Sequence, residues 1–334
     1  MKTKGIIFTS PFQVEIGSYE LRDLNDGEIL TKTIFTGISP GTELRVFSGK
    51  QYGANFPLIP GYENVGEVIK GKNVNLKEGI KVFLSGTLYT GPYQRVWGGH
   101  VEYAISKEED VIVIPENLDP LHAVFTKTCA IALHGIKRAG VKKYDKVAIV
   151  GQGLIGHLAL QIAKEKGAFV ISIDTVEERL LSSKKAGADY IINANEKDVY
   201  KEVMDITNGG VDIAIDVTGV AKTVNSTANL IKPRPFILKS TDDPNPPIGK
   251  LLVLGSYTEP ICFDYHPTLF DHEIDIIVSR DCTYFDMLEA LDLIVNNKIN
   301  FSAISYEIFN FKDAKIAYQK LIDKKIIKGI FSWE

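Results

Sequence analysis

The stretch from Lys146 to Asp174 constrains the fold of this chain more than any other. An apolar run ends at Gly151, and Gly153 and Gly156 complete the spacing G-x-G-x-x-G. Apolar residues at helical spacing follow, and a second apolar run ends in Asp174. This order predicts a strand, a tight glycine turn, a helix, and a second strand with an acid at its tip.

Such a unit is typical of dinucleotide binding, for a physical reason. Gly151 permits the tight turn, Gly153 lets the backbone approach a pyrophosphate, and Gly156 lets the helix pack closely on the strand. At the start of the helix, Leu154 and Ile155 are expected to offer backbone N–H groups to the phosphates, aided by the positive end of the helix dipole.

Asp174 predicts which dinucleotide binds. It lies 18 residues after Gly156, close to the roughly 20 expected of an acid that binds the ribose 2′-hydroxyl. A carboxylate there would repel a 2′-phosphate, so the sequence favours NAD(H) over NADP(H). Thr218, Gly255 and Ser256 are expected at the same carboxyl edge of the sheet, where the adenosine and the nicotinamide ribose should lie. Arg179 is expected to cover the adenine edge.

Bulk composition bounds the remaining possibilities. The 334 residues, 45% of them hydrophobic and 24% charged, predict a globular protein of about two domains. The net charge of −4 gives no reason to expect nucleic acid or a membrane as partner, and no apolar stretch approaches the roughly 18 residues of a spanning helix. Three widely spaced cysteines predict reduced, mostly buried thiols and a cytoplasmic protein.

The chain divides into regions of different periodicity. Residues 1–118 contain short apolar runs broken by glycine and proline, which predict a compact β-barrel-like domain. Residues 119–138 predict a linking helix, and six strands alternate with helices from 146 to 280, which predicts a doubly wound parallel sheet. Two helices and a final strand follow, and we expect that strand to return to the first domain. The predicted domains are residues 1–122 with 281–334, and residues 123–280.

One segment is out of pattern. Residues 232–248 contain five prolines, where a helix-to-strand connection needs only about 2–6 residues. The extra length is either a plain surface insertion or an interface or regulatory element.

Several motifs together resemble the medium-chain dehydrogenase/reductase superfamily, whose members carry a β-rich GroES-like catalytic domain beside a Rossmann domain. The motifs lie along essentially the whole chain: GISPGTE at 37–43, PGYENVG at 60–66, GGHVEY at 98–103 and DVTG at 216–219. The pair GISPGTE and PGYENVG, with the ending IKGIFSW, resembles a zinc-lacking branch that includes the bacteriochlorophyllide dehydrogenases. The resemblance implies interconversion of a secondary alcohol and a ketone more than it implies that substrate.

The departures from the zinc-dependent members concern the metal. Where those members carry cysteine and histidine ligands, this chain has Ser39 and Tyr62, and their third ligand falls around Lys127. Hydroxyl groups and an ammonium are poor zinc ligands, and the four cysteines of the family's structural zinc lobe are missing. Glu63 is retained, but one carboxylate does not make a site. The resemblance therefore implies no zinc.

Without a metal, a side chain must handle the proton of the reacting oxygen. Tyr62 is the first candidate, with a pKa that a neighbouring ammonium, from Lys127, or the positive nicotinamide would lower. Alternatively, Tyr62 only fills the space of the metal, and Lys127 is solvated. Ser39 and Thr42 either bind a substrate oxygen or satisfy the backbone of a turn, and Glu63 is favoured as a salt-bridge partner.

Three aromatic residues, Tyr89, Tyr93 and Trp97, lie in one loop and either line a substrate pocket or form the loop's own core. Lys328 matches a basic residue that reaches the phosphates in relatives, with a solvated lysine as the alternative.

These observations favour a zinc-independent, NAD-dependent dehydrogenase of a secondary alcohol or polyol that binds a small-molecule substrate. A quinone or enoyl reductase and a non-catalytic NAD(H)-binding scaffold are the alternatives. The resemblance implies a homodimer or homotetramer, since relatives commonly pair the edge strand of the Rossmann sheet across a dimer axis. Here that strand would be EIDIIVSR, which is apolar and needs cover.

Overall fold

The computed structural model describes residues 1–234 and 247–334. In this part of the chain the strands are β1 (Lys2–Ser10), β2 (Gln13–Glu20), β3 (Glu28–Gly37), β4 (Leu58–Ile59), β5 (Asn64–Lys72), β6 (Lys81–Leu84), β7 (Gln94–Arg95), β8 (Tyr103–Lys107), β9 (Ile112–Val113), β10 (Lys146–Val150), β11 (Phe169–Asp174), β12 (Tyr190–Asn193), β13 (Ile213–Asp216), β14 (Lys250–Val253), β15 (Asp275–Val278), β16 (Tyr306–Asn310) and β17 (Lys328–Ser332). The α-helices are α1 (Pro40–Phe47), α2 (Pro120–Ala123), α3 (Thr126–Ala139), α4 (Leu154–Glu165), α5 (Glu177–Lys185), α6 (Val199–Thr207), α7 (Ala221–Ala228), α8 (Tyr284–Val295) and α9 (Ala314–Ile322).

The chain divides into two compact units. The first unit comprises Met1–Thr128, Met287–Asn296 and Ile304–Glu334, and the second comprises Cys129–Asp286 and Asn297–Ala303. The functional domain boundaries expected from the sequence, after residues 122 and 280, stay a prediction.

The first unit is built from β-sheets. One sheet has the order β2-β1-β4-β7, and the larger sheet has the order β16-β17-β3-β5-β6-β9 with β8 on β3. The last strand, β17, pairs antiparallel with β3, with Ile330 opposite Gly37. The prediction that the chain end returns to the N-terminal region is therefore confirmed.

The second unit is a six-stranded sheet with the order β12-β11-β10-β13-β14-β15, parallel throughout. Its inner strands are almost wholly buried, as expected of apolar runs that are covered on both faces by helices. The strand order reverses at β10, which lies between β11 and β13, and ligands bind at the carboxyl edge beside such a reversal. The prediction of a doubly wound parallel sheet is confirmed.

Two expectations from the sequence are corrected. The linking helix is interrupted after Ala123, because α2 ends there and α3 begins at Thr126. Among the cysteines, Cys129 is buried, but Cys262 is exposed and Cys282 is half-buried, so the expectation of mostly buried thiols is wrong.

Two further expectations concern chain segments. The proline-rich insertion at 232–248 lies mostly outside the described residues, so its role stays open. Within residues 1–234 and 247–334, no helix combines the length and the apolar character that crossing a membrane requires.

Candidate functional site

The glycine turn after β10 has the geometry that its spacing predicts. Gly151 has φ +100°, in the left-handed region that favours glycine, and its N–H donates to the Ile173 carbonyl (2.8 Å). A Cβ on Gly156 would lie 1.9 Å from the Gly151 carbonyl oxygen, a backbone atom that cannot move aside. The first and third glycines are therefore required for the turn itself and for the packing of α4 against it.

Gly153 has a different role, because a Cβ at this position would meet nothing within 4 Å. It is the N-cap of α4, and no side chain caps the helix there. The space beside Gly153 is therefore open, and an anion can approach the first backbone N–H groups of α4, at Leu154 and Ile155. This arrangement fits a pyrophosphate.

Asp174 ends β11 beside this turn and is 8% exposed. Its Oδ1 accepts the N–H groups of Thr175 (2.7 Å) and Val176 (3.0 Å), and its Oδ2 accepts that of Gln152 (2.6 Å). Arg179 Nη1 lies 3.9 Å from Oδ2. The carboxylate is thus held in one orientation at the position where the ribose is expected.

The side chain of Gln152, which the sequence did not single out, supports the glycine turn and Asp174 through buried hydrogen bonds. The Gln152 side chain is fully buried, donates to the Ile149 carbonyl (3.0 Å) and accepts from the Ser183 hydroxyl (2.9 Å) on α5. Gln152 therefore ties the glycine turn to the helix that follows Asp174.

Thr218 and Gly255 meet around Asp216, at the ends of β13 and β14. Asp216 is fully buried, and its Oδ1 accepts hydroxyl hydrogen bonds from Thr218 (2.7 Å) and Tyr257 (2.6 Å). A Cβ on Gly255 would lie 2.7 Å from the Tyr257 hydroxyl. Burial and the charge of Asp216 raise the pKa of Tyr257, which therefore remains a hydrogen-bond donor.

The cofactor residues expected from the sequence thus lie at the carboxyl edge of one sheet, with Ser256 exposed beside Gly255. Lys328 is the exception, because it belongs to the first unit.

In the first unit, Ser39 and Tyr62 form a directly hydrogen-bonded pair. Ser39 is the N-cap of α1, which follows β3, and Tyr62 lies just before β5. The Tyr62 hydroxyl donates to Ser39 Oγ and lies 3.5 Å from Thr42 Oγ1. The two residues that the sequence comparison predicts at zinc-ligand positions are therefore hydrogen-bonded to each other.

The expectation that the pKa of Tyr62 is lowered is wrong for this structure. Tyr62 is 7% exposed, and burial raises the pKa of its phenol, with the negative charge of Glu63 adding to the effect. Hydrogen bonds with Ser39 and Thr42 act in the opposite direction but are weaker influences. At neutral pH the phenol is therefore protonated and can donate. Lys127, the expected source of positive charge, is half-buried in the first turn of α3.

Glu63 forms a buried ion pair with Lys328, and both side chains are 0% exposed. Lys328 Nζ also lies 5.0 Å from the centre of the Phe125 ring. Gly37 makes room for the pair, since a Cβ there would lie 2.4 Å from Glu63 Oε2. The alternative of a solvated Lys328 is wrong, because its side chain is 0% exposed. It neutralises Glu63, since a buried carboxylate needs a cationic partner. Its assignment to the cofactor phosphates stays a prediction.

The side-chain atoms of Ser39, Tyr62 and Glu63 do not match the metal ligands that zinc prefers. Ser39 and Tyr62 contribute neutral hydroxyl groups, and Glu63 Oε2 faces the ammonium of Lys328. Catalytic zinc takes three ligands drawn from imidazole, thiolate and carboxylate. Within the described residues, no cluster of three such side chains could hold a metal ion.

A second buried network, which the sequence did not reveal, fixes Ser39 from behind. Glu43 Oε1 accepts the Ser39 N–H (2.9 Å), while its Oε2 accepts the Tyr318 hydroxyl (2.7 Å) and lies 2.8 Å from His100 Nε2. His100 Nδ1 in turn lies 2.8 Å from Thr36 Oγ1. His100 therefore has a structural role, and the only sequence signal for the network was a glutamate inside the motif GISPGTE.

The three aromatic residues of the loop, expected either to line a substrate pocket or to form a packed core, do not all behave alike. Tyr89 and Tyr93 pack edge-on against Tyr19 of β2, with ring centres 6.0 and 6.1 Å apart, and so join the hydrophobic core of the first unit. Trp97 instead packs edge-on against Tyr62, with ring centres 5.1 Å apart.

Comparisons with known proteins agree with this fold. Residues 25–116 match the family model of the alcohol dehydrogenase GroES-like domain, and residues 155–235 match that of the zinc-binding dehydrogenases. A D-arabitol-phosphate dehydrogenase of Enterococcus avium is 26% identical over 97% of this chain and 96% of its own length. A sorbitol dehydrogenase of Halalkalibacterium halodurans is 24% identical over 91% of both chains. The solved structure of 2R,3R-butanediol dehydrogenase from Bacillus subtilis superposes with a TM-score of 0.85 at 20% identity, covering 99% of this chain and 100% of its own.

Proposed function

The chain belongs to the medium-chain dehydrogenase/reductase superfamily, among its alcohol dehydrogenase-like members, and we propose that it is a zinc-independent, NAD(H)-dependent oxidoreductase. It interconverts a secondary alcohol or polyol and the corresponding ketone by hydride transfer. The observation that carries this proposal is the hydrogen bond between Tyr62 and Ser39, which puts a proton-donating pair where relatives bind a metal.

The dinucleotide binds through the second unit. Gly151, Gly153 and Gly156 hold the turn, the N–H groups of Leu154 and Ile155 bind the pyrophosphate, and Asp174 binds the adenosine ribose. When bound, the nicotinamide supplies or accepts the hydride. NAD(H) is proposed over NADP(H) because the fixed Asp174 carboxylate would repel a 2′-phosphate.

The first unit handles the oxygen of the substrate. In ketone reduction the Ser39 hydroxyl donates its proton to the oxygen that becomes the alcohol, and Tyr62 returns a proton to Ser39 Oγ. Thr42 is half-buried and 3.5 Å from the Tyr62 hydroxyl, so it connects this pair towards solvent. Because its pKa is raised, Tyr62 stays protonated at neutral pH and keeps a proton in hydrogen-bond contact with Ser39.

The substrate class rests on a weaker argument. Relatives that align over nearly the whole chain are named D-arabitol-phosphate dehydrogenase and sorbitol dehydrogenase. Both names describe polyols, and a vicinal hydroxyl beside the reacting carbon suits the neighbouring hydroxyls of Ser39 and Thr42.

The role of Tyr62 is tested by Tyr62→Phe, which keeps the ring against Trp97 and removes only the hydroxyl. We expect kcat to fall at least about 100-fold, since a positioned general acid contributes roughly 10²–10⁴, while NADH affinity is unchanged. The matched control is Tyr93→Phe, at a tyrosine packed on Tyr19, which should keep full turnover. Unchanged kcat in Tyr62→Phe would show that Tyr62 does not supply the proton to Ser39.

The reaction class is tested by two parallel screens, one of secondary alcohols and polyols with their ketones, and one of enones and quinones. Turnover in only the second screen would identify a reductase of conjugated C=C bonds or quinones, and turnover in neither would favour a binding scaffold. Stoichiometric zinc in the purified protein would contradict the metal-free mechanism. Tighter binding of NADPH than of NADH would refute the assignment of Asp174.

We also propose that the protein forms a homodimer, or a tetramer made of two such dimers. Strand β15 is at the edge of the parallel sheet, with Ile276 42% and Val278 62% exposed. A second copy can pair its own β15 with this edge and cover the apolar side chains. Light scattering of Val278→Lys should then give the monomer mass, and a monomeric wild type would overturn this part of the proposal.

A further inference from the structure

The backbone of Trp97 is held in a conformation that tryptophan rarely adopts. Its φ is +66°, in the left-handed region, which is strained for a bulky residue. The Trp97 carbonyl accepts the Thr87 N–H (3.0 Å), and a Cβ on Gly86 would lie 2.2 Å from that carbonyl oxygen. The surrounding loop therefore imposes the conformation, and a glycine at position 86 is needed to permit it.

The same loop is fastened beside Tyr62. The N–H of Gly99, two residues after Trp97, donates to the Gly61 carbonyl (2.7 Å), immediately before Tyr62. The indole and the phenol consequently project from adjoining backbone, and the two rings meet at 78°. Tyr62 is buried by this packing, but Trp97 remains 37% exposed. Trp97 is thus partly exposed to solvent, and its indole contacts the ring whose hydroxyl donates to Ser39.

An exposed aromatic face next to several hydroxyl groups has a defined chemical preference. The negative face of an indole attracts C–H groups, most strongly those polarised by attached oxygens. The hydroxyls of Ser39 and Thr42 bind hydroxyl groups of a ligand. A polyol offers both features, a row of polarised C–H groups and hydroxyls along its edges, whereas a simple alkyl alcohol offers one hydroxyl and weakly polarised C–H groups.

We propose that Trp97 is the specificity-determining residue of the Ser39–Tyr62 site, and that it selects polyols and their ketoses over simple alkyl alcohols by packing against their C–H face. This inference rests on the proposed function for the identity of the reacting site.

The position of the substrate is tested by fluorescence. The chain has two tryptophans, and Trp333 is buried and donates to Thr36 Oγ1 (3.0 Å), so a ligand on the surface reaches Trp97 alone of the two. Titration of the NADH-loaded protein with xylitol, which cannot transfer a hydride to the reduced cofactor, should change the emission saturably. The change should persist in Trp333→Phe and vanish in Trp97→Phe. A change that persists in Trp97→Phe would overturn the proposal.

The role in specificity is tested by Trp97→Gly, which removes the indole and adopts the left-handed backbone without strain. We expect kcat/KM for xylitol to fall at least about tenfold more than kcat/KM for 2-butanol, with the selective part of the loss mainly in KM. Trp97→Phe should recover part of the loss. An equal loss for both alcohols, or none, would overturn the proposal.

The two proposals fail in distinguishable ways. If the wild-type protein oxidises neither alcohol, the proposed function fails, and the fluorescence titration still decides whether a polyol contacts Trp97. If the wild type turns over polyols but the ratio of the two kcat/KM values is the same in Trp97→Gly, the specificity role fails alone.

Discussion

The glycine turn of the second unit and the Ser39–Tyr62 pair of the first unit present polar groups by different means. At the turn, the donors are backbone N–H groups at the start of α4, and their position follows from the three glycines and the helix. At the pair, the donors are side-chain hydroxyls from two segments 23 residues apart, and their position follows from the pairing of β3 with β5.

The difference shows what each arrangement tolerates. A backbone site is insensitive to most side chains but cannot accept a Cβ at Gly156, 1.9 Å from a carbonyl oxygen. A side-chain site depends on the buried partners behind it, here Glu43 behind Ser39 and Lys328 beside Glu63. We therefore expect substitutions at the buried partners of the first unit to change mainly the free energy of unfolding. Substitutions at the glycine turn should change mainly the cofactor affinity.

The largest effect is expected from Lys328→Met in the first unit. It leaves Glu63 buried without its cation, which costs about 3–5 kcal/mol. Urea unfolding followed by circular dichroism measures the change in the free energy of unfolding. The control, Lys320→Met, breaks a half-exposed pair with Glu307 and should cost at most about 1 kcal/mol. Similar losses in both variants would show that the buried pair is not special.

The next effect is a pH dependence that originates in the second unit. His157 on α4 is 0% exposed, and burial lowers its pKa to about 4. Between pH 6.5 and 4 the unfolded chain binds a proton here that the folded chain does not, so falling pH favours unfolding. The free energy of unfolding should drop by up to about 3 kcal/mol over this range, with no further loss from His157 below it.

His157→Leu should remove that part of the pH dependence, as measured by urea unfolding at pH 7, 5.5 and 4. His266→Gln, at an exposed histidine of the same unit, should leave it unchanged. The interpretation fails if His157→Leu retains the full loss.

Gly153→Ala tests the backbone site at the glycine turn by its effect on cofactor affinity. The Cβ meets no protein atom within 4 Å, so the melting temperature should stay within a degree or two, while the methyl group obstructs the pyrophosphate. NADH affinity should fall about 100-fold, or roughly 3 kcal/mol. Gly41→Ala, at an equally open glycine in the first turn of α1, should bind NADH normally. Unchanged NADH affinity in Gly153→Ala would move the phosphates elsewhere.

The smallest effect is expected from Ser183→Ala. It removes the hydrogen bond that holds Gln152, at a cost of about 1 kcal/mol, and loosens the turn that fixes Asp174. The dissociation constant of NADPH divided by that of NADH should fall about fivefold. Ser182→Ala, at the neighbouring half-buried serine on α5, is the control. An unchanged ratio would mean that Asp174 does not depend on this support.

The parts of the fold that are local in sequence could be predicted. The six strands of the parallel sheet follow from uninterrupted apolar runs, and the glycine turn from its spacing, because both depend on neighbours within a few residues. The break between α2 and α3 was missed because the apolar periodicity continues through Val124 and Phe125, both fully buried. Periodicity reports burial and does not report whether the helix is continuous.

For the candidate site, the sequence by itself predicted that Ser39 and Tyr62 stand where zinc-dependent relatives carry metal ligands, and that a glycine turn followed by Asp174 binds a dinucleotide. Only the tertiary structure decided that Tyr62 donates to Ser39, that its pKa rises, that Lys328 neutralises Glu63, and that Trp97 packs edge-on against Tyr62. The physical reason is that these properties depend on desolvation and on charges from distant segments. Glu63 and Lys328 are 265 residues apart, and their contact exists only once β17 has paired with β3.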